Sequence, residues 1–412
     1  MIKKIAKVGF LKYWGMNIIM KKYISKEAIE RRIYIYLCAF AFMNVISVAG
    51  ANIFLGLVTA ALLHRLVRYH EDVKEAFAEY KSLFCLLGLL LIALLLSLLN
   101  ALEPGKGLTN IINAYIYRPI PLLAVLFCVH EKRKLINIAL CMVLAAFLNN
   151  ICAIGQGIMA YPFVNGRYSG FMNTMVHGTL LSVFLPATMV VFLSAKKAIV
   201  LWGSVVFGVV GLAAFVFNGT RGAWLAAVCS ILVIAYLQVR DKRKYFAGML
   251  VAGIIISSIT YMVPDFQQRV YSICNAQENS NTERRLLWQS AWHMFMDHPF
   301  TGVGYANFRT NYQKHYILPE AKQPYLEHAH NNFFHYLAET GILGLSALVA
   351  LWGYLLAYAV KGWWAYREPV FLLMLAVLLG VIMHGLTEYT FGAAVTVKMF
   401  WLAMGLGFKY RI

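Results

Sequence analysis

The sequence predicts an all-α polytopic membrane protein of about twelve transmembrane helices with one long loop outside the bilayer. Three observations carry this. Of 412 residues, 61% are hydrophobic and only 13% charged, where soluble domains carry roughly a quarter charged. Several apolar runs reach the roughly 20 residues that cross a bilayer as a helix. Most Lys and Arg gather in short segments between those runs, alternating along the chain. An ordinary soluble enzyme is thereby excluded. The formal charge of +19 belongs to topology: no solvated basic patch of the kind that takes nucleic acid is in view.

The segment 1–32 holds nine Lys and Arg and no short apolar core ahead of a cleavage site. It reads as a basic cytoplasmic segment skimming the membrane, and no signal peptide is expected. Transmembrane helices 1–9 fill 33–263, at about 33–49, 51–64, 82–100, 108–129, 135–159, 177–195, 199–218, 222–239 and 245–263. A break near Gly50-Ala51-Asn52 separates the first two, and merging them gives eleven spans. The segment 264–332 is the long loop. Helices 10–12 fill 333–412, at about 333–359, 369–386 and 391–408. With the N-terminus inside, 26 of the 37 Lys and Arg fall in cytoplasmic segments. Both termini are then cytoplasmic and the long loop is external.

Within that loop, Glu283–Met296 reads as an amphipathic helix. Leu287, Trp288, Ala291, Trp292 and Phe295 fall on one side. Asn281 or Thr282 caps it, and Asp297-His298-Pro299 with the following glycines ends it. It either lies at the membrane surface or packs on the bundle. Six of the seven cysteines lie in apolar spans and Cys274 stands in the loop, so neither a disulfide framework nor a CxxC metal pattern follows.

Positives on the outer side have no topological reason, and they mark the candidate chemistry. Arg221 stands in Gly219-Thr220-Arg221-Gly222-Ala223-Trp224 at an outer turn. It either snorkels to headgroups or, with glycines that let backbone N–H groups approach, grips phosphate oxygens two at a time. Arg284 and Arg285 follow Glu283 at the start of the loop helix. One is free to face a pocket. Glu327-His328-Ala329-His330-Asn331-Asn332 enters span ten. Two His at i, i+2 hint at a metal, but no third ligand stands at a convincing spacing. One neutral imidazole as general base is the better reading, and an Asn caps the next helix. Glu339 lies two turns into a span, where a carboxylate is either functional or paired with an outer Arg. Arg118 sits mid-span and Arg167 in the external loop before span six. His384, Glu388 and Tyr389 cluster at the outer end of span eleven, and Lys398 falls inside the last span. No P-loop, GxGxxG, GxSxG or HExxH occurs, so nucleotide hydrolysis and metalloprotease chemistry have no support.

Taken together, GTRGAW at an outer turn, an Arg pair four before Trp, DHPFTGVGYANF, and HAHNNFFHYLAETGILG opening a span resemble the O-antigen ligase superfamily of bacterial membrane glycosyltransferases. That group includes O-antigen ligases, O-antigen polymerases and O-oligosaccharyltransferases. The motif-bearing part runs from about 200 to 345. The resemblance implies a GT-C-like architecture in the bacterial inner membrane with a periplasmic active site. It implies a donor glycan on undecaprenyl diphosphate, transferred en bloc and with inversion to a hydroxyl of lipid A–core oligosaccharide, without metal or other cofactor. On this resemblance His330, Arg221 and Arg284 are the catalytic set, with Arg285 a rival to Arg284. His328, Arg118, Arg167, Glu339 and Tyr389 are candidates for binding the diphosphate or the acceptor. A polymerase using a second lipid-linked glycan as acceptor, or a transporter of that lipid, are the alternatives.

Overall fold

The computed structural model describes residues 25–69, 77–160, 166–262, 264–275 and 278–410, and these are helices, turns and loops without a strand. Helix α1 (Lys26–Ile46) and α2 (Val48–Arg68) meet at Ser47. Its N–H closes α1 on the Met43 carbonyl at 2.8 Å, and its hydroxyl caps α2 by accepting from the Gly50 N–H at 3.2 Å. The break therefore falls three residues before the expected glycine. A β-region Ser can end one helix and cap the next. At its start α1 is capped by Ser25, so it reaches into the segment read as basic and non-spanning. The rest of that segment, 1–24, lies outside the described residues.

Helix α3 (Lys81–Ser97) leads to α4 (Pro104–Ile111), a π-helical stretch Ile112–Tyr117, and α5 (Ile120–Cys128). The single span expected over 108–129 is thus interrupted at Arg118-Pro119, because proline offers no N–H and crowds the preceding turn. Then come α6 (Lys132–Met159), α7 (Thr174–Ser194), α8 (Ala198–Asn218), α9 (Arg221–Gln238), α10 (Lys242–Met262), α11 (Pro264–Cys274), α12 (Asn279–Asp297), α13 (Phe308–Asn311), α14 (Asn332–Tyr366), α15 (Pro369–His384) and α16 (Ala394–Tyr410). Every expected span falls on helix. Among the described residues, eight helical runs are long and apolar enough to cross a membrane, and Pro369–His384 is apolar but shorter.

Burial sorts these helices. On α7 an unbroken run from Val176 to Pro186 is buried, and on α15 the run from Met374 to Val381, so both lie inside the bundle. By contrast α8 leaves Ile199, Trp202, Val206, Val209 and Leu212 exposed, an apolar face that suits lipid. The loop helix α12 packs on the bundle. Leu287, Ala291 and Met294 join Phe308, Tyr312 and Ala338 in one buried cluster, and Trp292 of the expected apolar side is left exposed.

The long helix α14 is broken at Gly341, whose φ of 59° and ψ of −162° suit glycine alone. The break strands backbone groups, and one loop takes four of them. The Val303 and Gly304 N–H groups donate to the Ala338 and Glu339 carbonyls, both at 2.9 Å. The Ile342 and Leu343 N–H groups donate to the Pro299 and Phe300 carbonyls at 2.9 and 3.2 Å. Residues 299–304 and 338–343 thus interlock, and a broken helix is tolerated in an apolar setting when its freed groups are so satisfied. A Cβ on Gly341 would stand 2.4 Å from the Phe300 carbonyl. Gly341→Ala is expected to destabilise the protein by at least about 1–3 kcal/mol, read as a lowered midpoint of thermal unfolding in detergent. An unchanged midpoint would contradict the interlock.

Candidate functional site

Two neighbouring asparagines build the centre. Asn331 caps α14, its Oδ1 accepting from the Phe333 and Phe334 N–H groups at 2.8 and 3.0 Å. Its Nδ2 donates to the Leu386 carbonyl at 2.8 Å. Asn332 donates from its backbone N–H to the Gly385 carbonyl at 2.7 Å and from Nδ2 to Thr390 Oγ1 at 2.9 Å. Its Oδ1 accepts from the Phe391 N–H at 3.1 Å. The turn after α15 is thereby zipped to the residues before α14, and Glu388 is delivered to His330. The His330 Nδ1 lies 3.0 and 3.1 Å from the two Glu388 oxygens.

Burial alone would raise the Glu388 carboxyl, but the hydrogen bond from His330 and the nearby His330, His328 and His384 rings bring it down to about 2. It is therefore a carboxylate at any physiological pH and accepts the Nδ1 proton of His330. In a neutral ring so held, Nε2 is the acceptor, and no hydrogen bond engages it among the described residues. His330 also holds a φ of 47°, a left-handed conformation that a non-glycine residue keeps only where its surroundings enforce it. His328 is different. Its Nδ1 accepts from the His330 N–H at 3.3 Å, and burial pushes it down to about 4 against the pull of Glu388. It stays neutral and shapes the turn.

Cations approach the centre from α12. The Trp288 indole donates to the Ala329 carbonyl at 2.9 Å, and its ring stacks on Phe334 with centroids 5.4 Å apart. This ties the helix to the His330 turn. One turn earlier, Arg284 lies within electrostatic reach of Glu388, Arg221 and Glu278. Burial pushes its guanidinium below the ordinary value, with Glu388 opposing. Among the described residues no hydrogen bond or ion pair closes on it. Arg285 is exposed, whereas Arg284 is half-buried.

Arg221, by contrast, is engaged. Its Nη1 donates to the Ser272 carbonyl and hydroxyl, both at 2.8 Å. Its Nη2 donates to Glu278 Oε2 at 3.0 Å and Ser280 Oγ at 2.6 Å. Glu278 in turn caps α12, in place of the expected Asn281 or Thr282, by accepting from the Ser280 and Asn281 N–H groups. Arg221 therefore fastens the helix that presents Arg284. The flanking glycines serve packing rather than a ligand. Gly219 closes α8 with a φ of 63°, and a Cβ on Gly222 would stand 2.0 Å from Thr387 Oγ1. Arg167 braces the same turn, donating to the Asn218 carbonyl at 3.2 Å and Thr220 Oγ1 at 2.6 Å.

The remaining expected residues divide. Glu339 pairs with no Arg among the described residues. Its buried carboxylate accepts from the Ala306 and Phe308 N–H groups at 2.9 and 2.8 Å and lies 3.3 Å from His335 Nε2, so it pins the loop that repairs the α14 break. Tyr389 is half-buried, its ring centroid 3.9 Å from that of His335 and 5.6 Å from that of His328. Arg118 stands apart, donating to the Gly392 carbonyl at 2.7 Å. Glu388 is the partner the fold brings to His330 and the residue that sequence reasoning left outside the catalytic set. It also supplies the third ligand missing at local spacing, since the donor atoms of His328, His330 and Glu388 lie within 4.8 Å of one another and could hold a metal ion. Fifty-eight residues separate His330 from Glu388, which no spacing argument spans.

A family model described as O-antigen ligase matches residues 206–349, the stretch that holds Arg221, Arg284, His328 and His330. An O-antigen ligase of Salmonella typhimurium is 26% identical over 309 residues, covering 72% of this chain and 67% of the relative.

The Arg221–Glu278 contact carries a prediction. In a double-mutant cycle, Arg221→Ala and Glu278→Ala are each expected to destabilise the protein, with a coupling of about 1–2 kcal/mol given a partly exposed pair. Strictly additive losses in unfolding midpoint would contradict the fastening role.

Proposed function

Because the chain belongs to the O-antigen ligase superfamily, we propose that it transfers a glycan en bloc from undecaprenyl diphosphate to a hydroxyl of lipid A–core oligosaccharide. The observation that carries the reading is His330, its Nδ1 held by Glu388 and its Nε2 engaged by no hydrogen bond among the described residues, with an Arg284 nearby on which no hydrogen bond or ion pair closes among them. His330 Nε2 takes the proton of the acceptor hydroxyl as its oxygen attacks C1 of the glycan. The C1–O bond to the diphosphate breaks, and its electron pair leaves on the terminal phosphate oxygen. Arg284 stabilises the charge that collects there. Arg221 acts through α12 by fixing where Arg284 stands, and its own charge adds to the field. A diphosphate leaves as an anion and needs no acid. Single displacement inverts the anomeric centre.

The site belongs on the periplasmic face of the inner membrane in this reading. Taking α4–α5 as one crossing and α11 to α13 as none, the alternation of crossings puts the turns holding Arg167, Arg221, His330 and Glu388 at one end of the bundle. The Lys- and Arg-rich turns at 132–134, 196–197 and 240–244 come to the other, which the positive-inside rule makes cytoplasmic. The His330–Glu388 contact at hydrogen-bond length and the His328 Nδ1 already engaged by backbone favour proton transfer over metal binding at these three residues.

Purified protein given undecaprenyl-diphosphate glycan and lipid A–core tests this. His330→Ala is expected to lower turnover about 10²–10⁴-fold and Arg284→Ala about 10²–10³-fold, with Glu388→Gln also impaired. Lys196→Ala and chelator treatment leave the rate unchanged. Full activity in His330→Ala, or loss on chelation restored by a divalent metal, would overturn the mechanism. Turnover only when a second lipid-linked glycan replaces the lipid A–core would make the protein a polymerase.

A further inference from the structure

A second cationic pair lies on the far side of the turn that carries Glu388. Arg118, at the break between α4 and α5, donates from Nη1 to the Gly392 carbonyl at 2.7 Å. Its Nε is buried without a hydrogen-bond partner. Lys398, one turn into α16, is 4% exposed, and its ammonium donates to Asn52 Oδ1. Tyr117, next to Arg118 in the chain, and Lys398 both bond Asn52, and among the described residues no carboxylate pairs with either cation. Asn52 is exposed and also accepts through its carbonyl from the Tyr117 hydroxyl at 3.3 Å, so the pair opens to the surroundings beside α2.

Two like charges held together at membrane depth are costly, and intramembrane cations are ordinarily paired or face a ligand path. Snorkelling does not explain them. Arg118 is turned inward to Gly392, and Lys398 is buried. An unmet guanidinium donor with a neighbouring ammonium makes a natural seat for phosphate oxygens. We propose that Arg118 and Lys398 form a second anion site that holds the phosphate group of a membrane lipid. It shares the 385–393 turn with the His330 centre. Glu388 reaches one side of that turn and the Gly392 carbonyl the other, so a lipid seated here lies next to the reaction. The inference rests on the membrane setting of the fold and not on the transfer chemistry.

Calorimetric titration of the full chain in detergent with dioctanoyl phosphatidate tests it. Saturable binding is expected, with none for dioctanoylglycerol. Arg118→Met and Lys398→Met should each weaken it about tenfold or more, the scale of a charge-assisted hydrogen bond. Lys398→Arg should retain it, and His330→Ala should leave it intact while abolishing transfer, which separates this site from the catalytic reading. Kinetics of the double variant then identify the source. A raised KM for the donor assigns the seat to its diphosphate. A raised KM for the acceptor assigns it to a phosphate on that glycolipid. Loss of co-purifying phosphatidylglycerol with both KM values unchanged assigns it to a resident phospholipid. Unaltered binding in a double variant of normal size-exclusion profile, or equal binding of dioctanoylglycerol, would overturn the proposal. Should the Met variants fail to fold, wild-type binding that does not weaken with added salt would overturn it as well.

Discussion

A carboxylate and an imidazole from loops 58 residues apart make a useful pair only if both loops are held in fixed register. Here that constraint is met by the backbone and side chains of Asn331 and Asn332, which bond Gly385, Leu386, Thr390 and Phe391. Every other feature of the site is arranged around this seam. The left-handed turn at His330, the α14 cap, the tautomer of the imidazole and the depressed Glu388 carboxyl all follow from it. Amide groups suit the task because each offers donors and an acceptor without adding charge to a site that must keep its field for the ligand.

The cations are organised by a division of labour. Arg221 spends its hydrogen-bonding capacity on Glu278, Ser272 and Ser280 and so stiffens the start of α12. Arg284, one turn along, faces the field of Glu388 and Glu278 with no hydrogen bond or ion pair closed on it among the described residues. An unpaired, partly buried guanidinium is costly in an empty protein and valuable only when an anion arrives. The helix is fastened on either side of Arg284, by Arg221 before it and Trp288 after it, which fixes where the guanidinium stands. The broken α14 supports the other wall, since the loop at 299–308 rests on Gly341 and on the Glu339 carboxylate.

Apolar run length was enough to find the helices of the bundle, eight of which are long and apolar enough to cross a membrane among the described residues, because burial in lipid writes itself into composition. Boundaries set by capping were harder. Ser47 and Glu278 act through one hydroxyl and one carboxylate, signals that neighbouring Asn and Gly residues imitate. The site was half legible. His330 and Arg284 stood out as polar groups where topology needs none. The partners did not, since Glu388 for His330 and Glu278 for Arg221 are matched by tertiary contact alone. Glu339 shows the same limit: a carboxylate in an apolar span signals function or pairing, and only the fold reveals that it accepts from the N–H groups of Ala306 and Phe308. Gly341 looked like an ordinary residue of a span, because the loop that compensates its break lies more than thirty positions upstream.

The protonation of one ring decides the account. Nitrogen NMR of protein labelled at histidine, at neutral pH in detergent, reads the tautomer of His330 once its signal is assigned by comparison with His330→Gln. The account predicts a protonated Nδ1 and a bare Nε2, with the Nδ1 proton shifted by its hydrogen bond to Glu388 and that shift lost in Glu388→Gln. A ring carrying its proton on Nε2, or a signal indifferent to Glu388→Gln, would contradict it.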